Sequence, residues 1–190
     1  MKGAAVLVRG YTRTQVLVQR AGASRRLSGV KDLLTGKFTF INRNPGSGTR
    51  TLLEARIKEA AKDARLGFAE ACARIPGWES EAKSHSAVAT AVASGRADAG
   101  VCIETAAVRA GLARIPVAEE SFDFVVRRSR LSSAPVRAFL EALRSPAFAQ
   151  ELPRRVPGLH GDPDTGAVTW GLATSKGRSK GRGSAPSARK

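Results

Sequence analysis

Short apolar runs alternate along this chain with longer stretches in which apolar residues return every three or four positions. Two short strands are predicted first, over residues 4–8 and 15–19, separated by a polar turn. "SGVKDLL" reads as one helical turn that packs Val30, Leu33 and Leu34. Residues 38–41 alternate as a strand and run into Asn-Pro-Gly-Ser-Gly-Thr. In the helix expected after that turn, Leu52, Leu53, Ile57, Ala60 and Ala64 share a face, with Arg50, Glu54, Lys58 and Lys62 toward water. A polar segment containing Pro76-Gly77-Trp78 follows.

The second clear unit is "SHSAVATAVASGRADAGVCIETAAVRAG". Ser84 is placed to cap a short helix with Ala87, Val88, Ala91 and Val92 on its apolar face, and Gly95 stops it. Residues 97–103 then read as a buried strand, and 104–110 as a helix ending at Gly111. A strand pair, "LARIPVAEE" and "SFDFVVRR", comes next. From Pro135 a helix sets Val136, Phe139, Leu140 and Leu143 on one side, before a shorter one around Phe148. Strands alternating with helices predict an α/β fold with a largely parallel sheet. There is no internal repeat.

Composition narrows the class. With 190 residues and 42% hydrophobic content, the chain can bury one core or two small lobes. Aromatic residues make up only 5%, so Val, Leu, Ile and Ala must build that core. No apolar run is long enough to span a membrane. The apolar stretch before Arg9 is too short for a secretory signal, so a cytoplasmic protein is expected. Cys72 and Cys102 lie among alanines and valines and read as small buried hydrophobes rather than a disulfide. No Cys/His cluster has zinc spacing.

The net charge is +16 and uneven. "SKGRSKGRGSAPSARK" carries six basic residues and no acid, and its Gly/Ser content predicts a disordered basic tail over 159–190. Such a tail favours polyanions, so nucleic acid is a candidate partner. The bland alternative is an Arg-rich composition with no such role.

The glycine turn offers the clearest chemistry. A strand, a turn and a helix start place free backbone N–H groups and a positive helix end together, at the strand ends where parallel α/β sheets bind ligands. Gly46 and Gly48 allow close approach, while Ser47 and Thr49 add hydroxyls, a combination suited to an oxyanion or carboxylate. Arg50 or Arg43 would add charge. The alternative is a plain helix start with Thr49 capping its own backbone. The nucleotide P-loop pattern fails because these glycines are two apart and Arg50 follows Thr49; the dinucleotide pattern fails at Thr51. His85, beside the second helix start, has no evident nucleophile or carboxylate partner and fits a local hydrogen-bonding residue or a ligand donor. Glu104 could reach the same edge, or simply stabilise the first turn of its own helix. No nucleophile–base pair, metal cluster or cofactor loop is found, so the reading is non-catalytic and without a cofactor.

At these residues a resemblance emerges. "FINRNPGSGTRTLLE", "SHSAVATAVASGRADAGVCIETAA" and "VAEESFDFVV" follow in the order and spacing of a periplasmic-binding-protein-like domain of type 2. The branch is the one similar to molybdate- and tungstate-binding proteins, whose members occur alone, fused to molybdopterin molybdenumtransferase-like enzymes, or behind helix-turn-helix domains. The resemblance covers residues 6–158. Val16 and Ala23-Ser24 depart from the family's Gln-Gly step and Gly-Asn-Pro turn. It implies one complete lobe, residues 38–116, and part of a second, residues 1–37 and 117–158. The family's opening strand with its serine turn is absent, which implies an N-terminally truncated domain completed by another lobe or a fused regulator or enzyme. By resemblance the ligand is an oxyanion such as molybdate or tungstate, with Ser47, Gly48, Thr49 and Ser84 as donors and His85 as a further one.

Overall fold

The computed structural model describes residues 4–170. Its strands are β1 (Ala5–Arg20), β2 (Phe40–Arg43), β3 (Glu81–Ala82), β4 (Ala99–Ile103), β5 (Leu112–Arg127), β6 (Leu159–His160) and β7 (Val168–Trp170). The α-helices are α1 (Gly48–Asp63), α2 (Phe68–Ala73), α3 (His85–Ala93), α4 (Glu104–Arg109), α5 (Ala134–Arg144) and α6 (Pro146–Arg155). The sheet runs β3-β2-β4-β1-β5, with β6 and β7 also pairing with β1.

Helices cover both faces of the main sheet because successive residues on its inner strands point to opposite sides. Leu17, Phe40 and Val101 pack on one side against Leu53 and Ile57 of α1 and Ala71 and Cys72 of α2. Val16, Val18 and Cys102 pack on the other against Val88 and Val92 of α3 and Ala106 and Ala107 of α4. Burying one such Leu, Ile or Val side chain contributes about 1.5–3 kcal/mol. A separate small core lies at the other end of β1. There Val6 and Val8 meet Leu140 and Leu143 of α5, with Phe124, Val126 and Val168 beside them.

The expected largely parallel sheet is corrected to a mixed one. Only β2 with β3 and β2 with β4 run parallel, the pairs linked through helical crossovers. β1 is antiparallel to β4, β5, β6 and β7. The two strands expected in residues 4–19 are one strand of 16 residues, and the pair expected in 112–127 is likewise one strand of 16 residues. These two lie side by side along their whole length. What reads as a turn near Arg9 is a bulge: Val8 faces Phe124 and Tyr11 faces Phe122, so Arg9 and Gly10 together oppose Asp123. A Cβ on residue 10 would stand 1.9 Å from the Phe122 carbonyl oxygen, so only glycine fits.

Three further expectations change. Leu27 and Leu33, expected in the partial lobe, join Leu17, Phe38 and Leu53 in one core. Residues 159–170 are not tail: β6 pairs with Thr12 and Arg13, and β7 with Leu7 and Val8. The rest of the expected tail lies outside the described residues. Finally, α2 and β3 occupy what read as a featureless polar segment.

Candidate functional site

The glycine turn sits at the carboxyl end of β2. Gly46 takes a left-handed φ of 78°, a conformation that glycine adopts without strain and that bends the chain into α1. Ser47 is the N-cap, its Oγ accepting from the Arg50 amide at 3.2 Å. Ser47 rather than Thr49 therefore caps the helix, and its hydroxyl proton remains available to a further acceptor. Gly48 is exposed, and a Cβ built on it meets nothing within 4 Å. The amides of Gly48 and Thr49 precede the first intrahelical donor, and neither has an acceptor among the described residues. Nearby, Asn44 Oδ1 is a buried acceptor with no donor. Such an orphan costs about 1–3 kcal/mol.

Two expectations fail at this turn. The Thr49 side chain is buried, and its hydroxyl donates to Gln15 Oε1 at 3.4 Å rather than outward. Only its backbone N–H remains a candidate donor. Arg50, expected in water or as added charge, is 8% exposed. Its Nε donates to Glu54 at 2.8 Å and its guanidinium lies 4.5 Å from the Trp78 ring centroid. That cation is neutralised and stacked, a use of Arg that burial favours.

The second helix start comes to the same edge of the sheet. Ser84 caps α3 by accepting from the Ala87 amide at 3.0 Å. His85 Nδ1 lies 3.2 Å from both the Ile103 amide and Arg43 Nη1. Both neighbours can only donate, so Nδ1 is the acceptor and the ring proton sits on Nε2. Nε2–H is left without a partner among the described residues. Burial, then the charges of Arg43 and Arg13, push the His85 pKa down from 6.5 to about 4, against the smaller opposing effect of Glu120. The ring is a neutral donor at ordinary pH.

Arg43 joins the two starts. It extends from the end of β2, donates to the Ala82 and Lys83 carbonyls at 3.2 and 3.4 Å, and reaches His85. Burial and the nearby Arg13 charge lower its pKa. From the paired β1 and β5 come groups that the sequence reading passed over. Gln15 is fully buried and donates to Glu120 Oε1 at 2.8 Å, and the same carboxylate pairs with Arg13. The signal that could have found them is the period-two run Tyr11, Arg13, Gln15 interleaved with β-branched threonines. Glu104 turns to Arg114 at 2.8 Å, so it is a structural ion pair rather than a donor site. Both cysteines are buried and free, and burial pushes the Cys102 thiol up to about 12.

The arrangement offers neutral donors and guanidinium charge on one sheet edge, with no His/Cys/Asp/Glu group among the described residues that could hold a metal. No helix among the described residues is long and apolar enough to cross a membrane. Residues 1–144 match the family model described as a PBP superfamily domain. The uncharacterized protein YvgK of Bacillus subtilis (strain 168) is 30% identical over 146 residues, 77% of this chain and 44% of that protein. Among solved structures, one titled "Two-component system protein mediate signal transduction" superposes with a TM-score of 0.60 at 19% identity, over 80% of this chain and 54% of the other. PEB3 bound to L-phospholactate gives 0.58 at 15%, over 82% and 68%. Iron-bound HitA from Pseudomonas aeruginosa gives 0.55 at 14%, over 83% and 59%. The chain thus spans less than half of the curated relative and just over half of the first of these structures. The fold is α/β of the type 2 periplasmic-binding-protein-like kind, one lobe with part of another.

Proposed function

Because the chain belongs to the PBP superfamily, we propose that it binds a small anionic ligand, an oxyanion such as molybdate or tungstate, and catalyses nothing. The observation that carries this reading is the 3.2 Å contact of Arg43 with His85, which ties the glycine turn to the start of α3. Free amides at Gly48 and Thr49, the hydroxyl protons of Ser47 and Ser84, and His85 Nε2–H belong to the two helix starts that this guanidinium joins. Main-chain donors at helix starts suit a compact anion. The solved neighbours support the fold alone, so the ligand class rests on these donors.

In this reading the opposing wall of the cleft comes from a complementing lobe, or from a fused regulator or enzyme domain, and the protein is a cytoplasmic sensor or carrier connected with molybdenum cofactor metabolism or transcriptional regulation. Isothermal titration with molybdate, tungstate, sulfate and phosphate tests it. Heat that saturates with at least one anion is expected; none with any of them, with a complementing lobe supplied as well, removes the reading. The net charge of +16 favours a second reading, nucleic-acid association through the basic residues after 170. Deleting residues 174–190 should then abolish binding to a DNA duplex while leaving oxyanion titrations unchanged.

A further inference from the structure

Where the paired β1 and β5 pass the candidate site, a carboxylate already occupies one of its cations. Arg13 and Glu120 are direct cross-strand partners and form an ion pair through Arg13 Nε and Glu120 Oε1. Their side chains are 24% and 25% exposed, so solutes reach the pair and solvent screens it. Gln15 Nε2 holds the same Glu120 oxygen at 2.8 Å, an anchor independent of Arg13. The Arg13 guanidinium lies 4.9 Å from the Phe122 ring centroid, an apolar support that persists whichever anion the cation holds. Gln15 Oε1 also accepts from the Thr49 hydroxyl at 3.4 Å, so the Arg13–Glu120 pair is one glutamine away from the glycine turn.

We propose that Arg13 is a ligand-binding guanidinium and that Glu120 is its internal stand-in, a carboxylate that occupies Arg13 until an oxyanion replaces it. The inference rests on the anion-binding reading above and adds two residues to that site. The exchange is between two charge-assisted pairs of the same kind, and an Arg fork accepts either oxyanion. Glu120 keeps its bond to Gln15 throughout, so no buried charge is stranded. It also sets specificity. The charged groups acting on the neutral His85 of α3 are Arg13 from β1, Arg43 from β2 and Glu120 from β5, two positive charges against one negative, while Arg50 at the glycine turn is paired with Glu54. Glu120 therefore opposes a dianion more than a monoanion.

The test is isothermal titration of the full chain, as wild type, Glu120→Gln, Arg13→Gln and the double variant. Molybdate and sulfate serve as dianions and nitrate as a monoanion. Glu120→Gln should tighten dianion binding about tenfold and nitrate binding less, and Arg13→Gln should weaken dianion binding about tenfold. In the Arg13→Gln background, Glu120→Gln should tighten dianion binding clearly less than it does in the wild type, the signature of a shared partner. Wild-type binding that Glu120→Gln leaves unchanged or weakens overturns the stand-in while the anion-binding reading survives. Silence in all four proteins, with a complementing lobe supplied as well, overturns both, and binding by Glu120→Gln alone supports both. Should Glu120→Gln fail to fold, the Arg13 Nε–H resonance of the unaltered protein decides. A shift that saturates with molybdate supports the exchange, and a resonance that stays in place overturns it.

Discussion

Acidifying the protein should weaken it through His85, by an amount the structure allows to be worked out. The imidazole is held neutral: its folded pKa of about 4 lies below the ordinary 6.5, chiefly because of burial and then the charges of Arg43 and Arg13. Above pH 6.5 the ring is neutral in both folded and unfolded chains and contributes no pH dependence. As pH falls below 6.5, the unfolded chain takes up a proton that the folded one refuses, so stability is lost until the folded ring titrates near pH 4. At pH 4.5 the ceiling is about 2.7 kcal/mol, two units at 1.36 kcal/mol each. The ring is only partly buried, and solvent screening reduces this to roughly 1–1.5 kcal/mol. Urea unfolding of the wild type and His85→Asn at pH 7.5 and 4.5 isolates the effect, because carboxylates titrate alike in both. Asn can still accept from the Ile103 amide. The wild type should lose roughly 1–1.5 kcal/mol more than the variant on acidification. Equal losses would refute the reasoning, and a larger loss in the variant would reverse its sign.

Gln15→Ala removes the donor to Glu120 and the acceptor for Thr49 and leaves a cavity, so a loss of about 2–4 kcal/mol is expected in urea titrations. Gly10→Ala forces a Cβ to 1.9 Å from the Phe122 carbonyl; a stability loss of about 2 kcal/mol or more, seen as a lower Tm, should follow. Gly48→Ala adds its methyl in open space, so stability should move by less than about 0.5 kcal/mol. Isothermal titration of that variant should nevertheless show weaker molybdate binding, since the methyl stands beside the free amide.

The parts of the fold set by local rules were legible in the sequence. Ser84 caps where expected, a helix follows the glycine turn, and α3 and β4 fall within a residue or two of their predicted bounds. These depend on side chains bonding amides three positions away and on helical spacing. What escaped depends on partners distant in sequence. The polar run from Arg9 to Thr14 looked like a turn because its side chains have no local apolar alternation. It is a strand because Arg9 pairs with Asp162 and Arg13 with Glu120. Arg50 was given to solvent for the same reason, since its helical position says nothing of Trp78 beneath it. At the site, the turn was visible but the fate of Thr49 was not. A buried glutamine on β1 takes its hydroxyl.

The side-by-side course of β1 and β5 constrains how the molecule can deform. Both passages between the main sheet and the small core around Val6 and Val8 are zipped to one another, so they form a ribbon rather than two separate tethers. Sliding one against the other by a residue would turn every side chain to the wrong face, which makes shear stiff. Twisting about the ribbon's long axis leaves that alternation intact, and the ladder is interrupted at two steps, at Arg9 and Gly10 and between Gln15 and Val16. A clasping movement that keeps the pairing is therefore a swivel at those steps.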